Sequence, residues 1–401
     1  MSSASFKINL LTFRVTQKVL LLMGLAPYTV TIEAPPAKES ASPIKFSFSK
    51  RGCVYNIALV ILIIITVITF VPEILQFEHP NYGPVVKCID ITLIIIGNTI
   101  AVTTILICCN YQQNIVDIGN QLGEFHQKFQ VKSSQKCKSE LTNCEYSVIV
   151  FIFSLFSIGL VIASFFLYQS LVILSSLPCA IISASFIVKY SLIIKILKGM
   201  MKSMNEAICQ MDKCLIVFPE DSFFPENIGN PRLIVRNLAA VRQARAVVCK
   251  ISCQIADIHG LPSLSIIFYA CCGCVSAVYF LITNFMIQQR LFLNVASMTG
   301  ILWILLIMYP IVLLSETVKR FNAEMERTAG LIYDFRGTRG LNKDIIYELN
   351  DFAVELLHRK VVFSAYGFFP LDCTLLYSIF GMVVTYLIIL LQYKPLDVST
   401  H

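Results

Sequence analysis

Long apolar stretches separated by polar and charged segments set the pattern of this chain. A membrane-spanning helix needs about 20 predominantly apolar residues, and seven stretches approach or exceed that length. The pattern therefore predicts an all-α membrane protein with seven transmembrane helices. The predicted spans cover residues 54–70, 85–109, 146–167, 171–194, 261–287, 293–314 and 368–391.

Several spans are predicted to continue as helices outside the membrane. Residues 195–217 and 232–259 extend the fourth and fifth spans, and residues 316–335 extend the sixth. The fifth span itself is predicted to start at Pro262, because proline is well accommodated in the first turn of a helix. Residues 5–24 are predicted to form an amphipathic helix that lies at the membrane surface.

Apolar residues recur at the helical period just before the last span. A helix with such a face needs a partner, either within its own subunit or in an adjacent one. Both alternatives stay open, and the interface between subunits is favoured because a pore formed by a terminal helix needs symmetric copies. The face consists of Ile345, Ile346, Leu349, Phe352, Ala353, Leu356 and Leu357.

Composition and charge support the membrane class and orient the chain. Hydrophobic residues make up 56% of the chain and charged residues 14%, against roughly 25% charged in soluble domains. Of the 32 Lys and Arg residues, 29 fall on one side of the predicted membrane, and basic residues stay cytoplasmic. The N-terminus is therefore predicted inside and the C-terminus outside, the reverse of a G-protein-coupled receptor. No basic run is interleaved with stacking aromatics, so no nucleic-acid partner is expected.

This topology divides the chain into functional regions. The predicted extracellular loops are very short, so a small ligand must bind among the helices themselves. The cytoplasmic helices before the last span are assigned to subunit assembly. The regions are 1–53 (cytoplasmic N-terminal region), 54–315 (helices one to six, with cytoplasmic helical loops 110–145 and 195–260), 316–362 (assembly helices), 363–393 (last helix) and 394–401 (extracellular tail).

The last span carries one narrow polar face. Thr374, Ser378, Thr385 and Gln392 share it at helical spacing, with Ile389 between them. Lipid penalises polar groups, so this face is expected to meet protein or water. It indicates either the lining of a symmetric pore or helix-packing contacts made by small polar residues.

Ligand-site candidates are polar residues in or near the outer halves of the helices. Trp303 offers a ring with one polar edge for ligand stacking, and anchoring at the membrane interface is equally compatible with its position. Asp90 either pairs with Lys87 or meets a cationic ligand. Asp372 is a candidate for the ion path or for the start of the last helix. The ten candidates are Asp90, Asn98, Tyr168, Gln169, Ser175, Tyr279, Asn284, Asn294, Thr299 and Trp303.

Cysteine spacing and catalytic motifs add no further chemistry. None of the 15 cysteines lies in a predicted extracellular loop, so no structural disulfide is expected. No metal-ligand spacing and no nucleophile motif is visible. We therefore expect no metal, no cofactor and no enzymatic activity. A secondary transporter is the alternative class, although no inverted repeat is apparent.

The end of the chain resembles the insect gustatory receptor family. The family signature is Thr-Tyr, five hydrophobic residues and Gln-Phe, and this chain has Thr385-Tyr386, residues 387–391 and Gln392-Tyr393. Tyr393 stands where the family usually has Phe. Residues 363–372 also look like the family's entry to its last span.

The resemblance implies a tetrameric, ligand-gated, non-selective cation channel in the plasma membrane of gustatory neurons. The last helix lines the pore, with Ile389 as a hydrophobic gate, Gln392 as a polar ring and Tyr393 at the mouth. The implied partners are a small tastant, permeant Na⁺, K⁺ and Ca²⁺, membrane lipid and identical or other gustatory receptor subunits. Bitter plant secondary metabolites are the favoured tastants, and fructose-type sugars are the alternative.

Overall fold

The computed structural model describes residues 16–32, 44–76, 84–132, 170–217, 231–288, 295–338 and 341–392, with five isolated positions between 155 and 162. Within these residues the chain forms a helical bundle and one small antiparallel sheet. The strands are β1 (Tyr28–Ile32) and β2 (Ile44–Phe48); the helices are α1 (Lys50–Gln76), α2 (Pro84–Asn110), α3 (Gln112–Lys132), α4 (Ser170–Val217), α5 (Pro231–Gln288), α6 (Val295–Gly337), α7 (Lys343–His358) and α8 (Cys373–Gln392).

The described helices confirm the predicted membrane class. Among them, α1, α2, α4, α5, α6 and α8 are long and apolar enough to cross a membrane. They correspond to every predicted span except the third. That span, residues 146–167, lies outside the described residues apart from a few isolated positions.

The predicted helical extensions are present as parts of continuous helices. Helix α4 has 48 residues, α5 has 58 and α6 has 43, so each runs well beyond membrane thickness at 1.5 Å per residue. The prediction that Pro262 starts a helix is wrong, because Pro262 lies inside α5. Proline is tolerated inside spanning helices where neighbouring groups satisfy the freed backbone.

The N-terminal region contains a β-hairpin that the sequence analysis did not predict. Strands β1 and β2 pair antiparallel, from Tyr28 opposite Phe48 to Ile32 opposite Ile44. The side chain of Asn120 on α3 binds the hairpin by accepting from the Phe46 N–H at 2.9 Å and donating to the Phe46 carbonyl at 3.1 Å. Only residues 16–22 of the predicted N-terminal helix are described as helical.

Four residues between that short helix and β1 are buried in the bundle, residues 24–27. Three side chains from different helices donate hydrogen bonds to their carbonyls. Asn56 binds the Gly24 carbonyl at 2.7 Å, Lys189 binds the Leu25 carbonyl at 2.7 Å, and Gln112 binds the Pro27 carbonyl. We call residues 24–27 with these three donors the N-terminal clamp. It ties the N-terminus to α1, α4 and the start of α3.

The hydrophobic core follows α4, α5 and α6, and helix α7, which the sequence predicts to be cytoplasmic, packs on α5 and α6. Ile345, Leu349 and Phe352 of α7 are buried within the subunit. Ile346 and Leu357 of the same predicted apolar face are exposed, Leu357 by 71%. The face is thus divided, since part of it packs on its own subunit and part remains at the protomer surface.

Candidate pore helix and ligand site

Asp372 begins the candidate pore helix α8. Its carboxylate accepts from the Thr374 N–H at 2.9 Å and from the Thr374 hydroxyl at 2.5 Å. A side chain that binds the free N–H groups of the first turn is an N-cap, and a carboxylate there also meets the positive end of the helix dipole. The geometry favours helix capping over a role in the ion path for this residue.

The predicted polar face of α8 lies at the surface of the protomer. Thr374, Ser378, Thr385 and Gln392 are exposed, and Ile389 is 40% exposed. Tyr393 lies outside the described residues. The Ser378 hydroxyl donates to the Thr374 carbonyl at 3.2 Å, and the Thr385 hydroxyl donates to the Gly381 carbonyl at 2.9 Å. Each hydroxyl hydrogen is therefore satisfied within the helix, and the hydroxyl oxygens can still accept from water.

The rest of α8 packs sparsely within the subunit. Its buried residues are Leu375 and Ile379, which face the bundle roughly 105° around the helix from the polar face at 100° per residue. Tyr377 and Phe380 on the outer side are more than 70% exposed. Because a large exposed apolar surface is normally covered, α8 requires lipid or other subunits around it.

A compact turn, residues 363–371, connects α7 to α8. Phe363, Ala365 and Leu371 are almost fully buried. Tyr366 and Gly367 adopt positive φ angles of 52° and 80°, a conformation that glycine adopts without strain and tyrosine rarely does. We call residues 363–371 the pre-pore turn.

Two of the predicted ligand-site residues meet between α2 and α4. Asn98 is buried and its amide donates to the Ile94 carbonyl at 2.8 Å and to the Ser175 carbonyl at 3.3 Å. Ser175 is itself buried. Both polar groups therefore lie inside the protein rather than in lipid, as a ligand site requires.

The other described candidates are distributed over α2, α5 and α6. Thr299 is buried, Trp303 and Tyr279 are half-buried, and Trp303 packs against the small cluster formed by Leu177, Ala180 and Leu306. Asp90 is half-buried on α2. The remaining candidates fall outside the described residues or, for Asn284, have no described side chain: Tyr168, Gln169, Asn284 and Asn294.

The structure adds a narrow internal cavity that the sequence analysis missed. It lies between α4, α5 and α6 and is lined mainly by apolar residues, with Ser183, Tyr269 and Pro310 among them. Tyr269 is buried, and its hydroxyl lies 3.7 Å from the Cys179 thiol. The only sequence signal was a serine within an apolar helix, which is common enough to carry little weight.

Comparison with protein families covers almost the whole chain. The family profile described as 7tm Chemosensory receptor matches residues 13–397. The chain is 54% identical to putative gustatory receptor 2a of Drosophila melanogaster over 46 residues, 12% of this chain and 11% of that protein. It is 25% identical to the gustatory receptor for bitter taste 66a of the same organism over 178 residues, 42% of this chain and 32% of that protein. The matched regions thus span about a tenth to a third of these relatives.

The fold is similar to that of an insect olfactory receptor. The structure of OR5 from Machilis hrabei superposes with a TM-score of 0.64, covering 95% of this chain and 97% of that chain at 13% identity. The complex of that receptor with eugenol superposes with a TM-score of 0.52 at 11% identity. The predicted resemblance to insect gustatory receptors and the expectation that the chain is not an enzyme are both confirmed. Since the profile spans residues 13–397, the chain belongs to the 7tm chemosensory receptor family.

Proposed function

We propose that this receptor is a tastant-gated, non-selective cation channel whose pore is lined by α8. The observation that carries the proposal is the polar face of α8, which is exposed on a spanning helix and takes no part in packing the protomer. A polar face on a spanning helix is costly in lipid. Symmetric copies arranged around an axis would turn it towards water.

Two residues near the outer end of this face form the proposed constriction. Ile389 is 40% exposed, and a ring of four such side chains closes a pore by excluding water. Gln392 is exposed one turn further along. A ring of amides partly replaces the hydration shell of a cation without the charge that imposes strong selectivity, which supports permeation by Na⁺, K⁺ and Ca²⁺.

Assembly as a tetramer, from identical or related gustatory subunits, is supported by the exposed apolar residues of α7. Leu357 is 71% exposed, Tyr347 69% and Val354 54%. These side chains belong to a cytoplasmic helix in the predicted topology, where lipid does not cover them. An apolar surface exposed to the cytosol marks a protein contact.

The proposed tastant site lies between α2, α4, α5 and α6, around Asn98, Ser175, Tyr279, Thr299 and Trp303. Buried amide and hydroxyl groups beside a tryptophan suit flat organic molecules with a few polar atoms. Similarity to a receptor named for bitter taste supports bitter plant metabolites as the class. The proposed location is the plasma membrane of gustatory neurons.

Whole-cell current in cells that express the chain tests this function, using a panel of plant alkaloids, glycosides and sugars. We expect an evoked current that reverses near zero millivolts, and the active compound identifies the tastant class. Silence in cells with confirmed surface expression, both alone and with other gustatory receptor subunits, would refute the channel.

The pore assignment has its own variant, Gln392→Ala. We expect a changed conductance or cation permeability at normal surface expression. Gln76→Ala is the matched control, because Gln76 is also an exposed glutamine at the end of a spanning helix. If Gln392→Ala conducts like the wild type, α8 does not line the pore at this position.

A further inference from the structure

The inner end of α8 is where the subunit holds the proposed pore helix. The buried residues of α8, Leu375 and Ile379, lie in its first two turns. The pre-pore turn immediately before it is much better buried, with Phe363 exposed by 1% and both Ala365 and Leu371 by 0%. The position of this turn therefore determines where α8 starts.

The pre-pore turn is closed by its own backbone. The Leu371 N–H donates to the Phe363 carbonyl at 2.9 Å, and the Ala365 N–H donates to the Phe369 carbonyl at 3.0 Å. These bonds join the two ends of the turn. A displacement of the first residues of the turn is consequently transmitted to its last residues, which lead into α8.

Helix α5 touches this turn at a glycine. A methyl group on Gly260 would lie 3.1 Å from the Tyr366 nitrogen and 3.6 Å from the Ser364 carbonyl oxygen. The 3.6 Å distance is an ordinary contact, whereas the 3.1 Å distance is tight enough that the turn would have to move by a few tenths of an ångström. The backbone of α5 at Gly260 therefore lies close against the backbone of the turn, and a displacement of α5 there acts on the turn directly.

Helices α4 and α6 hold the same turn through aromatic rings. The Phe363 ring makes edge-to-face contacts with Tyr190 of α4 at 6.2 Å and with Phe321 of α6 at 5.1 Å between centroids. Both distances lie in the favourable range for such pairs. Phe363 therefore sits between the two helices.

A histidine fixes the relative position of α4 and α5 beside the turn. The His259 ring stacks on Tyr190 with centroids 4.6 Å apart and planes at 16°. Its Nδ1–H donates to the Ile255 carbonyl at 2.9 Å, which sets the ring orientation. A shift of either helix consequently moves Tyr190 against Phe363.

The same three helices carry the proposed tastant site further along their length. Ser175 and Tyr190 lie on α4, Tyr279 and Gly260 on α5, and Trp303 and Phe321 on α6. The separations are roughly 20–30 Å at 1.5 Å per residue. Each helix is continuous between its two positions, and packed helices transmit displacement because protein interiors are close-packed.

We propose that the pre-pore turn, seated on Gly260, Tyr190 and Phe321, couples movement of α4, α5 and α6 to the inner end of α8. This coupling rests on the proposed channel function. The three seat residues are positioning residues, because they act on the pore helix through the turn. A tastant that shifts these helices would displace α8 by the same route.

The variant Gly260→Ala tests the coupling, because the added methyl group must lift the turn by a few tenths of an ångström. Two quantities are measured with no tastant added: basal Na⁺ current, and the rate at which a maleimide labels Cys373, the half-buried first residue of α8. We expect both to rise by about threefold or more, the size of a modest shift in a two-state equilibrium. The exposed Cys253 is the internal reference for labelling.

Two glycine variants serve as controls. Gly199→Ala makes the same chemical change where nothing lies within 4 Å, and it should match the wild type. Gly119→Ala forces a contact of 2.8 Å between α3 and the Phe46 side chain of the hairpin, away from the turn and its seat residues. It should lower thermal stability without changing the rate of Cys373 labelling. Equal effects of Gly119→Ala and Gly260→Ala on that rate would show general destabilisation and overturn the coupling.

A second substitution tests the same coupling if the Gly260→Ala chain does not fold. Phe363→Leu removes both edge-to-face contacts but keeps an apolar side chain, and it should change current and labelling in the same direction. If the wild-type chain conducts, and a variant that folds shows the wild-type basal current and the wild-type rate of Cys373 labelling, the coupling is wrong. The proposed channel function is not affected by that result. A wild-type chain that carries no cation current under any condition refutes the proposed channel function, and the gating role with it.

Discussion

Replacing the clamp residue Asn56 by aspartate should strongly destabilise the receptor. Asn56 is fully buried, and its amide nitrogen donates to the Gly24 carbonyl at 2.7 Å and to the Cys109 thiol at 3.1 Å. Asn56→Asp keeps the shape but places an acceptor where the donor was. The Gly24 carbonyl then loses its partner inside the protein, at a cost of about 1–3 kcal/mol. The new carboxyl group must also be buried, which raises the total to about 3 kcal/mol or more.

Thermal unfolding in detergent, followed by size-exclusion chromatography of the heated sample, measures this loss. The midpoint falls by 2–4 °C per kcal/mol for domains of 150–250 residues and by less for longer chains. A loss of about 3 kcal/mol should therefore lower it by roughly 3–6 °C. Asn114→Asp is the matched control, since Asn114 is exposed on α3 and the chemical change is identical. Equal midpoints for the two variants would refute the structural role assigned to the clamp.

Two further comparisons separate stability, assembly and conduction. Leu349→Ala removes a fully buried side chain and should lower the free energy of unfolding by about 2–5 kcal/mol. Leu357 is 71% exposed, so Leu357→Ala should change the free energy of unfolding by no more than about 0.5 kcal/mol. Crosslinking of the Leu357→Ala chain should nevertheless detect fewer tetramers. A Leu357→Ala chain that assembles normally would remove α7 from the proposed interface. Asp372→Ala should cost about 1 kcal/mol as a lost N-cap, whereas Asp372→Asn keeps the cap and wild-type stability. Altered single-channel conductance in Asp372→Asn would instead place the charge of this residue in the ion path.

The long helices could be predicted because their signals are local. Apolar length identifies the spans, and helical periodicity with charged residues identifies the extensions of α4, α5 and α6. Pro262 misled the prediction of where the spanning part of α5 begins, because proline is a reliable helix breaker mainly in exposed positions. Within a packed bundle, surrounding groups replace the hydrogen bond that proline cannot make.

The N-terminal hairpin was missed because its strands are short, and the clamp was missed because its donors are distant in sequence. Strands β1 and β2 are only five residues long each, and short alternating segments carry a weak signal. Lys189 shows the same difficulty. It was counted as one of many cytoplasmic charges that orient the chain, yet it is buried and binds the Leu25 carbonyl. Only tertiary structure distinguishes such a lysine from one that simply faces the cytosol.

The pre-pore turn illustrates a different limit. Residues 363–372 stood out in the sequence by their resemblance to a family motif, but a motif does not say what its residues contact. The structure shows what surrounds glycine at position 260, where the backbone of Tyr366 lies so close that a methyl group would approach its nitrogen to 3.1 Å. The small residue in α5 and the position of the turn before α8 are thus linked, although the two lie far apart in the sequence.

The distribution of buried residues bears on how such a receptor can change state. The central helices α4, α5 and α6 carry most of the core, whereas α8 buries only Leu375 and Ile379 in the protomer. Few protomer contacts beyond the first two turns of α8 therefore need to break when its outer part moves. In the proposed channel, the energy that opposes opening would come largely from contacts with neighbouring copies around the pore. Substitutions on the exposed faces of α8 should accordingly change gating more than protomer stability, and core substitutions in the central helices away from the seat of the pre-pore turn and the proposed tastant site should do the reverse.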